Sequence, residues 1–187
     1  MGKKRIFLKE FFKEKKTVGS VAPSSRHLGK KMLKDIDFSR VNAVVELGPG
    51  TGVFTDMLLN SLSENSKLLI FELHEAFYKK LKEELKDDHR AIVINDSAEK
   101  IGEYLHQQGL EEVDVVISSL PLANFKKKLT LTILKESHRF LKEGGLYVQF
   151  QYSLTSQKLI KRVFEDTKVN FTPRNIPPAF IYTCTKK

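Results

Sequence analysis

Val44-Val45-Glu46-Leu47-Gly48-Pro49-Gly50-Thr51-Gly52 is the stretch on which the fold turns. It belongs to a β-branched apolar run, Val41–Leu47, of the kind that forms a buried strand. The run stops at glycines on every second position. Such glycines let the backbone bend sharply and approach a ligand closely, and a helix N-terminus follows at once. Dinucleotide-binding turns use G-x-G-x-x-G, whereas the spacing here is G-x-G-x-G with an acid, Glu46, two residues before the first glycine. A carboxylate at that point suits a cationic group on the ligand, where a pyrophosphate would want neutral room.

Working outward, Lys67–Leu73, Ala91–Ile94, Val113–Ser118 and Leu146–Tyr152 repeat the strand signature. Helical patterns lie between them, notably Glu75–Leu85 and Leu129–Leu141, the latter closed by Gly144-Gly145. Strands alternating with helices imply a mostly parallel sheet covered on both faces. Val169–Phe171 and Phe180–Thr185 read as two strands with no helix between them, which suits an antiparallel hairpin at the sheet edge. The expected architecture is α/β and Rossmann-like, with seven strands, a C-terminal antiparallel hairpin and helices on both faces. Residues 41–187 form its domain, behind a basic arm over residues 1–40.

The whole chain of 187 residues, 41% hydrophobic, suffices for one such core. No run approaches the roughly 20 apolar residues that span a bilayer. The N-terminus lacks the apolar segment of a signal peptide, so the expected location is cytoplasmic. The lone cysteine, Cys184, fits a reducing compartment and reads as a packed strand side chain. The net charge of +9 is unevenly placed. Residues 1–34 carry eleven Lys/Arg against Glu10 and Glu14, while the remainder carries 21 bases and 21 acids. A localised basic arm predicts a polyanionic partner, either nucleic acid or anionic lipid.

Two further acids belong with the glycine turn. Glu72 follows Leu69-Ile70-Phe71, 20 residues after Gly52, where a carboxylate can accept both ribose hydroxyls of a nucleoside. Asn95-Asp96-Ser97 follows the third strand. The turn resembles motif I of the class I methyltransferases. That resemblance implies S-adenosylmethionine as cofactor, with Glu46 toward its aminopropyl end, Gly48, Gly50 and Gly52 against it, and Asp96 near the adenine amino group. Ser20, Leu73, Ser97 and Ser118 complete the expected cofactor-binding set. No metal is expected.

The fourth strand leads into Ser118-Ser119-Leu120-Pro121-Leu122-Ala123-Asn124-Phe125, at a sheet end that borders the ligand cleft in doubly wound folds. Amino methyltransferases of nucleic acid place Asn or Asp, a spacer, Pro and an aromatic here; the amide holds the exocyclic amine and the ring stacks on the base. In this chain those positions are Ser119, Leu120, Pro121 and Leu122. The amide has become a hydroxyl and the ring is gone, which argues against adenine or cytosine as acceptor. With this loop, three segments, Val18–Arg26, Glu46–Thr55 and Asn175–Tyr182, resemble the bacterial phospholipid N-methyltransferases. Glu46–Thr55 is equally similar to the ribosomal RNA adenine dimethyltransferases. The family pattern has Pro or an apolar residue where Lys126-Lys127-Lys128 stands.

The resemblance implies methylation of the phosphatidylethanolamine headgroup by a peripheral membrane enzyme. The arm supports this independently: at 100° per residue Phe7, Leu8, Phe11 and Phe12 share one stripe, with Lys9, Lys13, Lys16 and Glu10 opposite and Lys15 within the stripe, where it must snorkel, as in an interfacial helix. Substrate-pocket candidates are Ser119, Leu120, Pro121, Leu122, Asn124, Phe125, Tyr152 and Tyr182; the aromatic faces suit an amine that becomes quaternary. No general base stands out; His27 and His138 are available. RNA adenine methylation, with the arm on phosphates, and small-molecule methylation are the alternatives. A binding module without catalysis would need a degraded cofactor turn, and this one is intact.

Overall fold

The computed structural model describes residues 24–187. Helix α1 (Ser24–Leu33) leads into strand β1 (Ala43–Leu47). There follow α2 (Val53–Leu59), β2 (Lys67–Phe71), α3 (Glu75–Glu84), β3 (Ala91–Ile94), α4 (Ile101–Gln107) and β4 (Val113–Ser118). The chain ends with α5 (Lys127–Phe140), β5 (Leu141–Gln151), α6 (Gln157–Val163), β6 (Asp166–Thr172) and β7 (Ala179–Thr185). The seven strands form one sheet in the order β3-β2-β1-β4-β5-β7-β6. All neighbours are parallel except β7, which runs antiparallel to both β5 and β6. Crossovers leave β1 in both directions, so the order reverses between β1 and β4, and a crevice opens at their carboxyl ends.

Alternation along the strands builds two cores. Val45, Leu47, Leu69, Phe71, Val116, Tyr147 and Tyr182 face α4, α5 and α6 through Ile101, Leu105, Ile133, Leu134 and Ile160. Val44, Leu68, Ile70, Val115, Val148 and Ile181 face the other helices through Leu28, Met32, Phe54, Leu58 and Leu81. Each fully buried aliphatic side chain is worth about 1.5–3 kcal/mol over an exposed one. Of the arm expected over residues 1–40, the part from Leu28 onward is packed, with Leu28, Met32 and Ile36 buried against this second face. The stripe Phe7–Phe12 lies outside the described residues.

The expected hairpin is β6–β7, with no helix between its strands. One expectation fails. The glycine pair does not close the fifth helix: α5 ends at Phe140, the chain enters β5 at Leu141, and Gly144-Gly145 lie inside that strand. Pairing with β4 shifts register there, between Val113 and Val115. A Cβ on Gly145 would sit 2.9 Å from the Asp114 carbonyl oxygen, so the glycine is needed for close approach. A Gly pair after a helical pattern ordinarily signals a cap, and the sequence alone does not separate the two uses. Cys184 is buried in β7 as expected, where burial pushes its thiol up to about 12.

Candidate active site

At the end of β1 the glycine turn is formed by backbone that other residues resist. Gly48, Gly50 and Gly52 have φ of +68°, +62° and +91°. A Cβ on Gly48 would meet Leu120 Cδ2 at 2.8 Å, so the turn lies directly against the loop that follows β4. A Cβ on Gly50 would meet nothing within 4 Å, which leaves space above that peptide for a ligand.

Glu46 points from β1 to the α2 side and is fully buried. Its Oε2 accepts a 2.7 Å bond from Thr55 Oγ1, and its Oε1 is buried without a hydrogen-bond partner. Burial pushes its pKa up to about 8, against the bond from Thr55, with the nearby Glu72 and Asp56 carboxylates adding to the rise. An orphaned buried carboxylate oxygen is costly alone and well matched to a cation. The residues therefore fit the ammonium of S-adenosylmethionine.

Glu72, one residue beyond β2, is 1% exposed. Its Oε2 accepts from Gly50 N at 3.0 Å and its Oε1 from His74 N at 2.7 Å, so this carboxylate holds the glycine turn in place. A carboxylate has about four acceptor sites across its two oxygens, so backbone N–H groups and hydroxyls can share one. Leu73 beside it is half-buried. Asp96, beyond β3, accepts from Ser97 N at 2.7 Å, Lys100 Nζ at 3.0 Å and Tyr104 Oη at 3.0 Å. Burial alone pushes this carboxyl up, but those three donors outweigh it and hold it below the usual carboxylate range. Ser97 caps the short 3-10 helix Ala98–Lys100 through a bond from Glu99 N. Glu46, Glu72 and Asp96 thus stand at the carboxyl ends of three neighbouring strands. Ser20 lies outside the described residues.

The loop after β4 is anchored from below by β5. Gln149 and Gln151 both donate through Nε2 to the Leu120 carbonyl, at 3.0 and 2.8 Å, and Ala123 N donates to Gln151 Oε1 at 3.4 Å. Tyr147 Oη donates to Gln149 Oε1 at 2.8 Å. Ser118 is buried at the end of β4, and the Ser119 hydroxyl is buried without a partner. Of the expected pocket residues, Leu120 and Phe125 are half-buried against the core and Pro121 is half-buried. Leu122 is 1% exposed and packs downward into the core, so it supports the loop from beneath. Asn124 is exposed. Tyr182 is fully buried in β7 with an unpartnered hydroxyl, opposite Gln149 in register. Tyr152 stands 53% exposed at the rim, edge-on to Phe150. His138 lies on the last turn of α5, against the Phe164 ring and far along the helix from the loop.

Sequence reasoning misses Thr55, Tyr147, Gln149 and Gln151. The glutamines carried a signal: amides at alternate positions of an otherwise apolar strand mark one face turned to something polar. Among the described residues no group of three or more His, Cys, Asp or Glu could hold a metal ion.

A sheet of this order with a glycine turn after β1 and acids after β2 and β3 defines a class I S-adenosylmethionine-dependent methyltransferase. The profile of the methyltransferase-domain family matches residues 44–145, and the chain belongs to that family. It is 29% identical over 180 residues to the ornithine lipid N-methyltransferase of Singulisphaera acidiphila, covering 96% of this chain and 94% of that one. It is 21% identical to ribosomal RNA small subunit methyltransferase A of Thermotoga petrophila, over 89% of this chain and 66% of that one. Among solved structures, the Burkholderia thailandensis 1,6-didemethyltoxoflavin-N1-methyltransferase with bound S-adenosylhomocysteine superposes with TM-score 0.73, at 13% identity, over 98% of this chain and 87% of that one. The chain is accordingly an enzyme whose cofactor is S-adenosylmethionine.

Proposed function

We propose that the enzyme N-methylates the primary amine of a membrane lipid headgroup. The observation that carries this reading is the near full-length similarity to an ornithine lipid N-methyltransferase. Phosphatidylethanolamine, the acceptor expected from the sequence, and ornithine lipids both present such an amine. The site agrees in its chemistry. Where a base-binding enzyme has an amide and a stacking ring, this loop has the Ser119 hydroxyl and a Leu122 turned into the core. A pocket without the ring gives up roughly 1–3 kcal/mol of stacking per base.

S-adenosylmethionine, when bound, supplies an activated methyl group for in-line displacement. Glu46 is assigned to its ammonium, Glu72 to the ribose hydroxyls and Asp96 to the adenine amino group. The loop Ser119–Phe125, held by Gln149 and Gln151, presents the acceptor amine, which must be unprotonated to attack. Phe125 offers an aromatic face to the increasingly methylated nitrogen. The basic segment 1–34 holds the enzyme peripherally on an anionic surface, each base adding about 1 kcal/mol. Among the described residues no helix is long and apolar enough to cross a membrane.

Labelled S-adenosylmethionine offered with phosphatidylethanolamine, ornithine lipid or ribosomal RNA tests the proposal. Label is expected in a lipid. Label in RNA alone would overturn the lipid reading in favour of the ribosomal RNA methyltransferases that the chain also resembles.

A further inference from the structure

Beyond residue 34 the charges balance, but the balance conceals two opposed halves. Residues 35–125 carry 8 Lys/Arg against 17 Asp/Glu, and residues 126–187 carry 13 against 4. The second half supplies α5, α6 and the strands β5, β7 and β6 at one side of the sheet. It also holds all four large hydrophobic side chains exposed among the described residues: Tyr152 at 53%, Leu154 at 45%, Phe171 at 56% and Ile176 at 82%.

By topology these four lie at one end of the sheet, Tyr152 and Leu154 just beyond β5, Phe171 near the end of β6 and Ile176 in the β6–β7 turn. Gln151 pairs with Phe180 and Phe180 with Phe171, so one row of the sheet runs from the carboxyl end of β5 to that of β6. The Phe171 and Phe180 rings lie 5.1 Å apart. Tyr152 follows the row at β5, and Asn175, next to Ile176 in the β6–β7 turn, is buried and donates through Nδ2 to the Pro177 carbonyl at 2.6 Å. The row also meets the acceptor loop, since Gln151 donates to the Leu120 carbonyl. Exposed bases lie at the same end of the sheet: Lys126–Lys128 where the loop enters α5, Lys158 in the first turn of α6, and Arg174 in the β6–β7 turn. None of these five bases enters an ion pair among the described residues.

We propose that this rim, led by Ile176 in the β6–β7 turn, is a membrane-docking surface that seats on an anionic bilayer and brings the acceptor loop to the headgroup plane. The occupant rests on the lipid-amine reading above. Exposed apolar side chains and uncompensated cations at one end of the sheet match the two layers such a bilayer presents, acyl chains beneath anionic headgroups. A soluble partner would have to cover an apolar surface and five unpaired bases together. This membrane contact fixes orientation because it adjoins the site through Gln151 and the Leu120 carbonyl.

The chain contains no tryptophan, so Ile176→Trp in the full-length protein gives a single reporter. Mixed with phosphatidylglycerol vesicles, its emission is expected to shift to the blue and to be quenched by brominated acyl chains. Pure phosphatidylcholine vesicles should produce neither effect. Leu154→Asp with Ile176→Asp should weaken sedimentation with phosphatidylglycerol vesicles roughly tenfold or more, the weight of burying one Leu or Ile side chain. Both sites are exposed, so S-adenosylhomocysteine binding should be unchanged and certifies the fold. Unchanged emission in vesicle-bound protein, or undiminished sedimentation of the double variant, overturns the proposal. Neither readout depends on methyl transfer, so a failure of the lipid-acceptor reading would show separately, as absence of labelled lipid.

Discussion

Glu46→Gln is the perturbation that best tests the cofactor site, because the structure gives Glu46 two states with different protons. In the ligand-free protein its carboxyl is pushed up to about 8 by burial. At pH 7 the protonated form therefore predominates. A cation docked on the orphaned Oε1 reverses the balance and expels it. Binding of S-adenosylhomocysteine, which has the same aminopropyl end, should thus release a proton at pH 7. Calorimetry in phosphate and in Tris reads this directly, since the buffers differ in ionisation heat. Affinity should rise between pH 6 and 7 and level off above about pH 8, where Glu46 is already ionised without a ligand. The Gln variant should bind weakly and release nothing. Stability carries the same signature with a definite sign. The folded pKa lies above the unfolded one, so the native state holds a proton that the unfolded chain has lost. Thermal stability of the ligand-free enzyme should then fall as pH rises from about 4.5 to about 8, by at most about 1.4 kcal/mol per pH unit, and Glu46→Gln should flatten that slope. Equal binding heats in the two buffers at pH 7 would refute the assignment.

Three further substitutions separate the parts of the site. Gly50→Ala meets no protein atom within 4 Å but must hold φ near +62°, so it should fold at a cost of about 1–2 kcal/mol and still lose S-adenosylhomocysteine binding by calorimetry. Gln151→Ala leaves the Leu120 carbonyl with its Gln149 donor, so melting should show a loss of only about 1 kcal/mol; the KM for the lipid should rise while cofactor affinity stays put. Phe125→Ala should slow the later methyl transfers more than the first, because cation–π contact strengthens only once the nitrogen is permanently charged; equal slowing of every round, followed by mass spectrometry of the lipid products, would assign Phe125 to packing alone.

What the sequence discloses and what it withholds divide along physical lines. The glycine turn was legible because φ above zero and close backbone approach exclude nearly every other residue, so three alternate glycines after an apolar run have few readings. Glu46, Glu72 and Asp96 were legible for a related reason: a carboxylate at a strand end, in a chain that otherwise buries Val, Leu and Ile there, asks for a partner. Gly144-Gly145 misled because a helix cap and a strand irregularity demand the same residue, and only the carbonyl of Asp114 across the sheet distinguishes them. Leu122 was read as pocket wall because sequence gives the order of loop residues but not their direction; the short 3-10 helix Leu122–Asn124 turns that side chain into the core. The glutamines of β5 are the sharper case. Each is ordinary alone, and their use emerges only where β5 passes beneath the β4 loop and two amides converge on one carbonyl. Long-range convergence of that kind also placed Tyr152, Phe171 and Ile176 on one rim, although more than twenty residues separate the first from the last. Local chemistry can be read along a chain, whereas a site or a surface assembled across strands needs the register, and here the register sets an apolar tip beside the loop proposed to receive a lipid amine.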